Sequence, residues 1–121
     1  MLDLGALKLD HFDYLVTDHR DDFGMVLQQV LAAKHIVWAT PVYWYAMSAQ
    51  LKVFFDRLTD LLLTAEGRKT GRALAGRETW LLATGSDEAL PSGFEVPFVR
   101  TAEYFEMRWN QACYLWCARA E

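Results

Sequence analysis

No apolar run in this chain approaches the roughly 20 residues needed to cross a bilayer, so no membrane partner is expected. The N-terminus lacks a basic stretch followed by an apolar segment and a small-residue cleavage site, which leaves a cytoplasmic protein as the expectation. Cysteine is scarce: there are two, Cys113 and Cys117. Four residues apart on one strand they would stand roughly 13 Å from each other, too far for a disulfide. They are expected to be small buried hydrophobes in a reducing compartment. No second cysteine pair or nearby histidine completes a metal site, so no metal is expected. Excess positive charge is also missing. The formal net charge is -4, and the one basic concentration (Arg68, Lys69, Arg72 and Arg77) lies in a Gly-rich stretch that reads as a solvated loop. Such a surface repels phosphate backbones, and no nucleic-acid partner is expected. Internal repeats, low-complexity tracts and linkers are absent, which makes one domain over residues 1–121 the natural division.

Aromatic residues, by contrast, are plentiful. Five tryptophans exceed what a core of this size requires, and they suit a core, an interface or an aromatic ligand. Apolar patterning alternates between two periods. Leu2 to Leu9 reads as a short strand. Asp21 or Asp22 can cap a helix, and Phe23, Val26, Leu27, Val30 and Leu31 then recur at helical spacing through Ala33. Ile36-Val37-Trp38-Ala39 is a short continuous apolar run, as expected of a parallel strand buried on both faces, and Pro41 ends it. Ser48 caps a strongly periodic helix whose stripe is Leu51, Phe54, Phe55, Leu58, Leu61 and Leu62. Lys52, Asp56, Thr59 and Asp60 fall largely on its other side. Thr64 to Arg77 carries no period and reads as a loop. Trp80-Leu81-Leu82-Ala83 is a second buried strand. Pro97 suits the first turn of a helix with Phe98, Thr101, Ala102 and Phe105 inward, and Asn110 to Cys117 reads as a last strand. This alternation predicts an α/β sheet with helices on both faces.

Ligands of open α/β sheets sit beyond the carboxyl ends of the strands. Two loops leave such ends here. Thr40 to Met47 carries Pro41, Tyr43, Trp44, Tyr45 and Met47, a set suited to stacking on a flat heterocycle. Backbone amides at the start of the Ser48 helix can add hydrogen bonds there. Thr84 to Asp87 offers Gly85, where backbone can approach a ligand closely. Composition and placement leave a second reading open, in which the aromatics pack on a neighbouring helix or a second subunit.

The string from Ala39 through Thr40-Pro41-Val42-Tyr43-Trp44-Tyr45-Ala46-Met47-Ser48 to Lys52, continued by Phe54-Phe55-Asp56-Arg57, resembles the third strand, flavin loop and following helix of the NAD(P)H-dependent FMN reductases. Many members read T-P-V-Y-W-Y-S-M-S, then Gln and Lys, then F-x-D-R. Gly71-Arg72-Ala73-Leu74 and Ala83-Thr84-Gly85 fit the family's order as well. The resemblance implies a flavodoxin-like three-layer sandwich with a parallel sheet ordered 2-1-3-4-5 in the family. It implies FMN as cofactor, with Pro41, Val42, Tyr43 and Trp44 against the isoalloxazine and Thr84, Gly85 and Ser86 on its other side. It further implies NAD(P)H as reductant and a small-molecule acceptor of quinone, flavin or azo type. No residue is demanded as a catalytic acid or base, because the cofactor carries the chemistry.

The family's apolar first strand and its Gly/Ser/Arg/Asn-rich phosphate loop have no counterpart in this sequence. Leu2-Asp3-Leu4 aligns with the family's second strand. Gly67-Arg68-Lys69-Thr70-Gly71 fits neither the pattern nor the position of a phosphate loop and reads as a surface turn. The expectation is therefore a domain N-terminally truncated relative to the family, with four strands where the family has five, or a natural protein longer than this chain. An unpaired strand edge would invite pairing with another chain, and a homodimer is expected, through that edge or the aromatic surface. The alternative function is a flavodoxin-like module without flavin, serving as a binding or assembly domain.

Other candidates are weaker. His11, His19 and His35 show no metal spacing, and His19, between Asp18 and Arg20, reads as a solvated loop side chain. Ser86 lies in no G-x-S-x-G elbow. Arg57 reads as an exposed salt-bridging residue.

Overall fold

Local hydrogen-bonding chemistry decides how the chain begins. The computed structural model describes residues 1–118, so residues 119–121 of the expected domain lie outside it. The strand expected over Leu2 to Leu9 does not form. Asp3 turns the chain by accepting a hydrogen bond from the Gly5 amide on its own carboxylate, and a short 3-10 turn, Leu4–Ala6, follows. Aspartate commonly competes with regular structure in this way. Leu4, Leu7 and Leu9 still pack on the core from their irregular segment.

The remaining elements alternate as expected. They are α1 (Phe23–Ala32), β1 (His35–Pro41), α2 (Ala49–Arg57), α3 (Ala65–Arg72), β2 (Glu78–Gly85), α4 (Val96–Tyr104) and β3 (Arg108–Trp116). Ser48 caps α2 by accepting from the Leu51 amide at 3.3 Å, as its position before the apolar stripe predicts. The stripe extends past α2 into a 3-10 segment, Leu58–Leu62, and is not one continuous helix. The stretch read as a loop holds α3. Thr64 caps it by accepting from Gly67 N at 2.9 Å. Its glycines allow close approach: a Cβ on Gly67 would stand 2.9 Å from Asp60 O, and one on Gly71 would stand 3.3 Å from the Phe105 ring.

The three strands form a parallel sheet in the order β1-β2-β3, one strand fewer than expected among the described residues. The register sets Pro41 beside Thr84 and Ala83 beside Tyr114, so the loops after β1 and β2 leave the same end as neighbours. One irregularity interrupts the pairing. Thr79 lies beside Trp109, while Leu81 lies beside Ala112, so β3 carries one extra residue there. This is a β-bulge. Asn110 fills the gap, its Nδ2 donating to Thr79 O at 3.2 Å.

One hydrophobic cluster joins α1, α2 and α4 to a single face of the sheet. Ile36, Trp38, Leu81 and Ala83 supply the sheet side; Phe23, Val26, Leu27, Leu51, Phe54, Phe98 and Ala102 supply the helices. Trp38 packs edge-on against Phe55, and Phe55 packs edge-on against Phe98, in the aromatic geometry expected of quadrupolar rings. The opposite face alternates out of this core. Val37 and Leu115 are exposed there, and a shallow apolar groove runs over Trp80, Leu82 and Cys113. Strands apolar on both faces are therefore open on one of them among the described residues. Both cysteines are exposed, contrary to expectation, because Cys113 points to this open face and Cys117 follows the end of β3.

Arg57 also departs from its expected exposed position. It is one of the most deeply buried side chains, and Asp21, beside it, is as completely enclosed. Arg57 donates to Asp21 Oδ2 at 2.5 Å, to Asp60 Oδ2 at 2.8 Å and to Asp10 O at 3.0 Å, and it lies over the Phe23 ring. The stem of α2 is thereby joined to the chain leading into α1. Burial alone would lower the Arg57 pKa, but the two carboxylates outweigh it and raise the value. Burial pushes the Asp21 carboxyl up. Its hydrogen bond from Arg57, with those from the Asp10 and Phe23 amides, reverses this and leaves it below the usual carboxylate value.

Candidate functional site

A tight turn projects from the end of β1. The Tyr43 amide donates to Ala46 O at 2.9 Å and the Ala46 amide donates back to Tyr43 O at 3.1 Å. The two residues between them, Trp44 and Tyr45, have φ of 50° and 69°. Two consecutive left-handed residues are the signature of a type I′ turn, which normally selects Asn and Gly. Two bulky aromatics in this conformation are strained, and such strain clusters at functional sites. Trp44 is 92% exposed and Tyr45 68% exposed, so burial of these rings in the core does not hold the turn.

Anchorage behind the turn is firm. Thr40 is buried at the end of β1; its hydroxyl donates to Pro41 O at 2.8 Å and accepts from the Ser48 amide at 2.9 Å. The loop is thus closed onto the start of α2. The Val42 amide donates to Thr84 O at 2.7 Å and ties the turn to the end of β2.

Facing the turn is the loop after β2. Tyr114 donates its hydroxyl to Asp87 O at 2.7 Å, and Trp116 Nε1 donates to Ser86 O at 3.2 Å. Two residues of β3 therefore hold this loop from below. Desolvation first, then the charge of Asp87 and the neighbouring Cys117, keep the Tyr114 pKa above its ordinary value. The phenol remains a neutral donor at physiological pH.

Between the two loops lies a cleft of about 550 Å3, walled by Val42, Tyr43, Trp44, Tyr45, Ser86, Asp87 and Tyr114. This is the size of a small-molecule site, and it sits beyond the carboxyl ends of the strands. Of the residues singled out in the sequence, Val42, Tyr43, Trp44 and Ser86 line the cleft. Pro41, Thr84 and Gly85 do not; Pro41 and Thr84 pair behind it, and Gly85 backs onto Tyr114. Tyr45, from the first candidate loop, and Asp87, the last residue of the second, belong to the wall too, as does Tyr114, which sequence reasoning missed. Tyr114 could have been found from its place near the carboxyl end of the last strand. Its side of that strand, however, depends on the bulge.

The lining fits the ring portion of a flavin, with aromatic and apolar groups for a planar heterocycle and polar backbone at its rim. No Lys or Arg is among the lining residues, and Asp87 adds negative charge, so the lining offers no cationic partner for a phosphate.

Residues 1–115 match Flavodoxin_2, a family of flavodoxin-like fold. Among similar proteins, YwqN of Bacillus subtilis (strain 168), named as an NAD(P)H-dependent FMN-containing oxidoreductase, is 26% identical over 85 residues, covering 70% of this chain and 46% of that protein. KefF of Enterobacter sp. (strain 638), an ancillary protein of a glutathione-regulated potassium-efflux system, is 33% identical over 115 residues, covering 88% of this chain and 64% of that protein. Among solved structures, the Trp repressor binding protein from Bacillus subtilis superposes with a TM-score of 0.73 at 22% identity, covering 81% of this chain and 64% of that one. The chain spans 46% and 64% of the length of the two curated relatives it matches.

Proposed function

Because this chain belongs to the flavodoxin-like family that its residues 1–115 match, we propose that it acts in an NAD(P)H-dependent, FMN-using oxidoreductase and supplies the ring-facing part of the flavin site. The observation that carries this reading is the strained Trp44–Tyr45 turn, facing the Ser86–Asp87 loop across one cleft at the carboxyl end of the sheet. The name of the Bacillus subtilis relative supports the choice of cofactor and reductant. The chemistry FMN supplies when bound is acceptance of hydride from NAD(P)H and onward delivery of electrons. The protein's share is to orient and enclose. Tyr43, Trp44 and Tyr45 offer stacking surfaces, and Tyr114 holds the Ser86–Asp87 loop at a fixed separation from them. The acceptor is a quinone, flavin or azo compound, planar molecules suited to the same aromatic wall. Exposed thiols at Cys113 and Cys117 accord with a reducing, cytoplasmic setting. A homodimer is part of the proposal, with the outer edge of β1, unpaired among the described residues, or the exposed turn at its interface.

An absorbance spectrum after incubation with excess FMN and gel filtration tests the reading. A retained, stoichiometric flavin spectrum is expected. A colourless protein would favour the module without flavin, for which the uncharged and acidic lining of the cleft speaks.

A further inference from the structure

The residues between Lys8 and Asp22 form a loop that the cleft does not use, and its neck is closed by paired backbone and carboxylate contacts. The Asp22 amide donates to Lys8 O at 2.8 Å, and the Lys8 amide donates to Asp22 Oδ2 at 2.8 Å. One step inward, the Asp10 amide donates to Asp21 Oδ2 at 2.8 Å. Such a compact loop with joined ends is an Ω-loop in form.

His19 folds back into this neck. Its side chain is 8% exposed, against the solvated position expected from its polar neighbours. Its Nε2 is buried with no hydrogen-bond partner among the described residues, and its Nδ1 lies 3.6 Å from Asp10 Oδ2, beyond hydrogen-bond reach. A buried polar atom without a partner is unusual and calls for an explanation. The donor atoms of Asp10, His19 and Asp21 all lie within 4.8 Å of one another. Charge is unbalanced there as well. Arg57 is shared between Asp21 and Asp60, and among the described residues no Lys or Arg side chain pairs with Asp10, whose neighbour is His19.

We propose that Asp10, His19 and Asp21 form a binding site for a divalent transition-metal ion of the zinc class, which clamps the neck of the loop. One imidazole nitrogen with two carboxylate oxygens is a donor set that zinc accepts, whereas calcium and magnesium prefer oxygen alone. Bonds of about 2.0–2.2 Å require donors closer together than 4.8 Å. Asp10 can supply that contraction, because its side chain is 42% exposed and free to turn inward. Asp21 is already oriented by Arg57 and by the Asp10 and Phe23 amides, as ligating carboxylates usually are by their outer partners. Sequence spacing gives no sign of the site, since its ligands meet only when the loop closes. The ion is structural: it joins the start of the loop to the residue that leads into α1.

The test uses the whole chain carrying Cys113→Ser and Cys117→Ser, which removes exposed thiols that could take the metal themselves. After stripping with EDTA, the protein is titrated with Zn2+ against a chromophoric chelator and, separately, with Co2+ while visible absorption is recorded. One equivalent of Zn2+ bound at micromolar affinity or better, with a raised Tm, is expected. Co2+ should give d–d bands without thiolate charge transfer. His19→Ala and Asp10→Asn should each weaken binding at least tenfold. Asp10→Asn keeps the backbone amide that reaches Asp21, so its fold, checked by circular dichroism, is preserved even if His19→Ala loosens the loop. Failure of the folded chain to bind one equivalent, or equal binding by both variants, would overturn the proposal.

Discussion

The hydroxyl of Tyr114 stands 2.6 Å from the point where a Cβ on Gly85 would lie. Glycine is needed at the end of β2 because a side chain from β3 occupies its space. That same hydroxyl secures the loop at Asp87, so the close approach connects the sheet to the rim of the cleft.

Gly85→Ala should therefore act through Tyr114. The added methyl must displace the phenol and break its bond to Asp87 O. A loss of about 1–3 kcal/mol, the usual range for overpacking, is expected in urea denaturation. Tyr114→Phe removes the atom at 2.6 Å and leaves ring contacts of 3.3 Å and beyond. The double variant should consequently be more stable than the sum of the two single effects, and a double-mutant cycle measures that coupling.

Relief of strain gives the opposite result at the turn. Tyr45→Gly frees a left-handed residue whose conformation costs roughly 1–2 kcal/mol with an ordinary side chain. Thermal unfolding should show no loss of stability, or a gain of up to about 1 kcal/mol after the unfolded chain's greater freedom is counted. Under the proposed function, flavin affinity falls in the same variant, as fluorescence titration with FMN would reveal.

Arg57→Met should destabilise the protein by about 3–5 kcal/mol, because Asp21 then stays buried without its cation. Arg57→Lys should recover only part of this. An ammonium lacks the planar fork that reaches Asp21, Asp60 and Asp10 O together. Chemical denaturation at neutral pH reads both variants.

Acid should expose the same arrangement. The folded-state pKa of Asp21 lies below its ordinary value of 3.8, so its contribution is complete above 3.8 and disappears as pH falls through the folded value. Asp21→Asn should lower stability at neutral pH and flatten the pH dependence in that acid window. Urea midpoints measured from pH 5 downward would show whether the two proteins converge.

What the sequence discloses follows the range of the interactions involved. Ser48 and the stripe from Leu51 are local, and they mark the start of α2 correctly. The strands from Ile36 and Trp80 are short apolar runs bounded by turn residues, and these too are local signals. Arg57 looked like a surface residue because its polar neighbours in the chain resemble a solvated face. Its burial depends on Asp21, which arrives from 36 positions away. Helix α3 was hidden by Gly67 and Gly71, whose presence reflects the close approach of Asp60 and Phe105 and says little about local flexibility. In the cleft, the aromatic turn was legible because it is one continuous string. Tyr114 was not, because its orientation depends on register.

The extra residue in β3 sets the phase of everything after it. Side chains alternate strictly along a strand, so Trp109 and Tyr114, an odd number of positions apart, can share a face only if the alternation is broken between them. Deleting the extra residue would keep Tyr114 inward, because it would then lie an even number of positions from Trp109. Regular pairing of the full-length strand, without the bulge, would leave the core near Trp109 little changed but turn Tyr114 to the open face and bring Cys113 to its side. The loop at Asp87 would lose its tether, and the cleft would change shape without any substitution in its own lining.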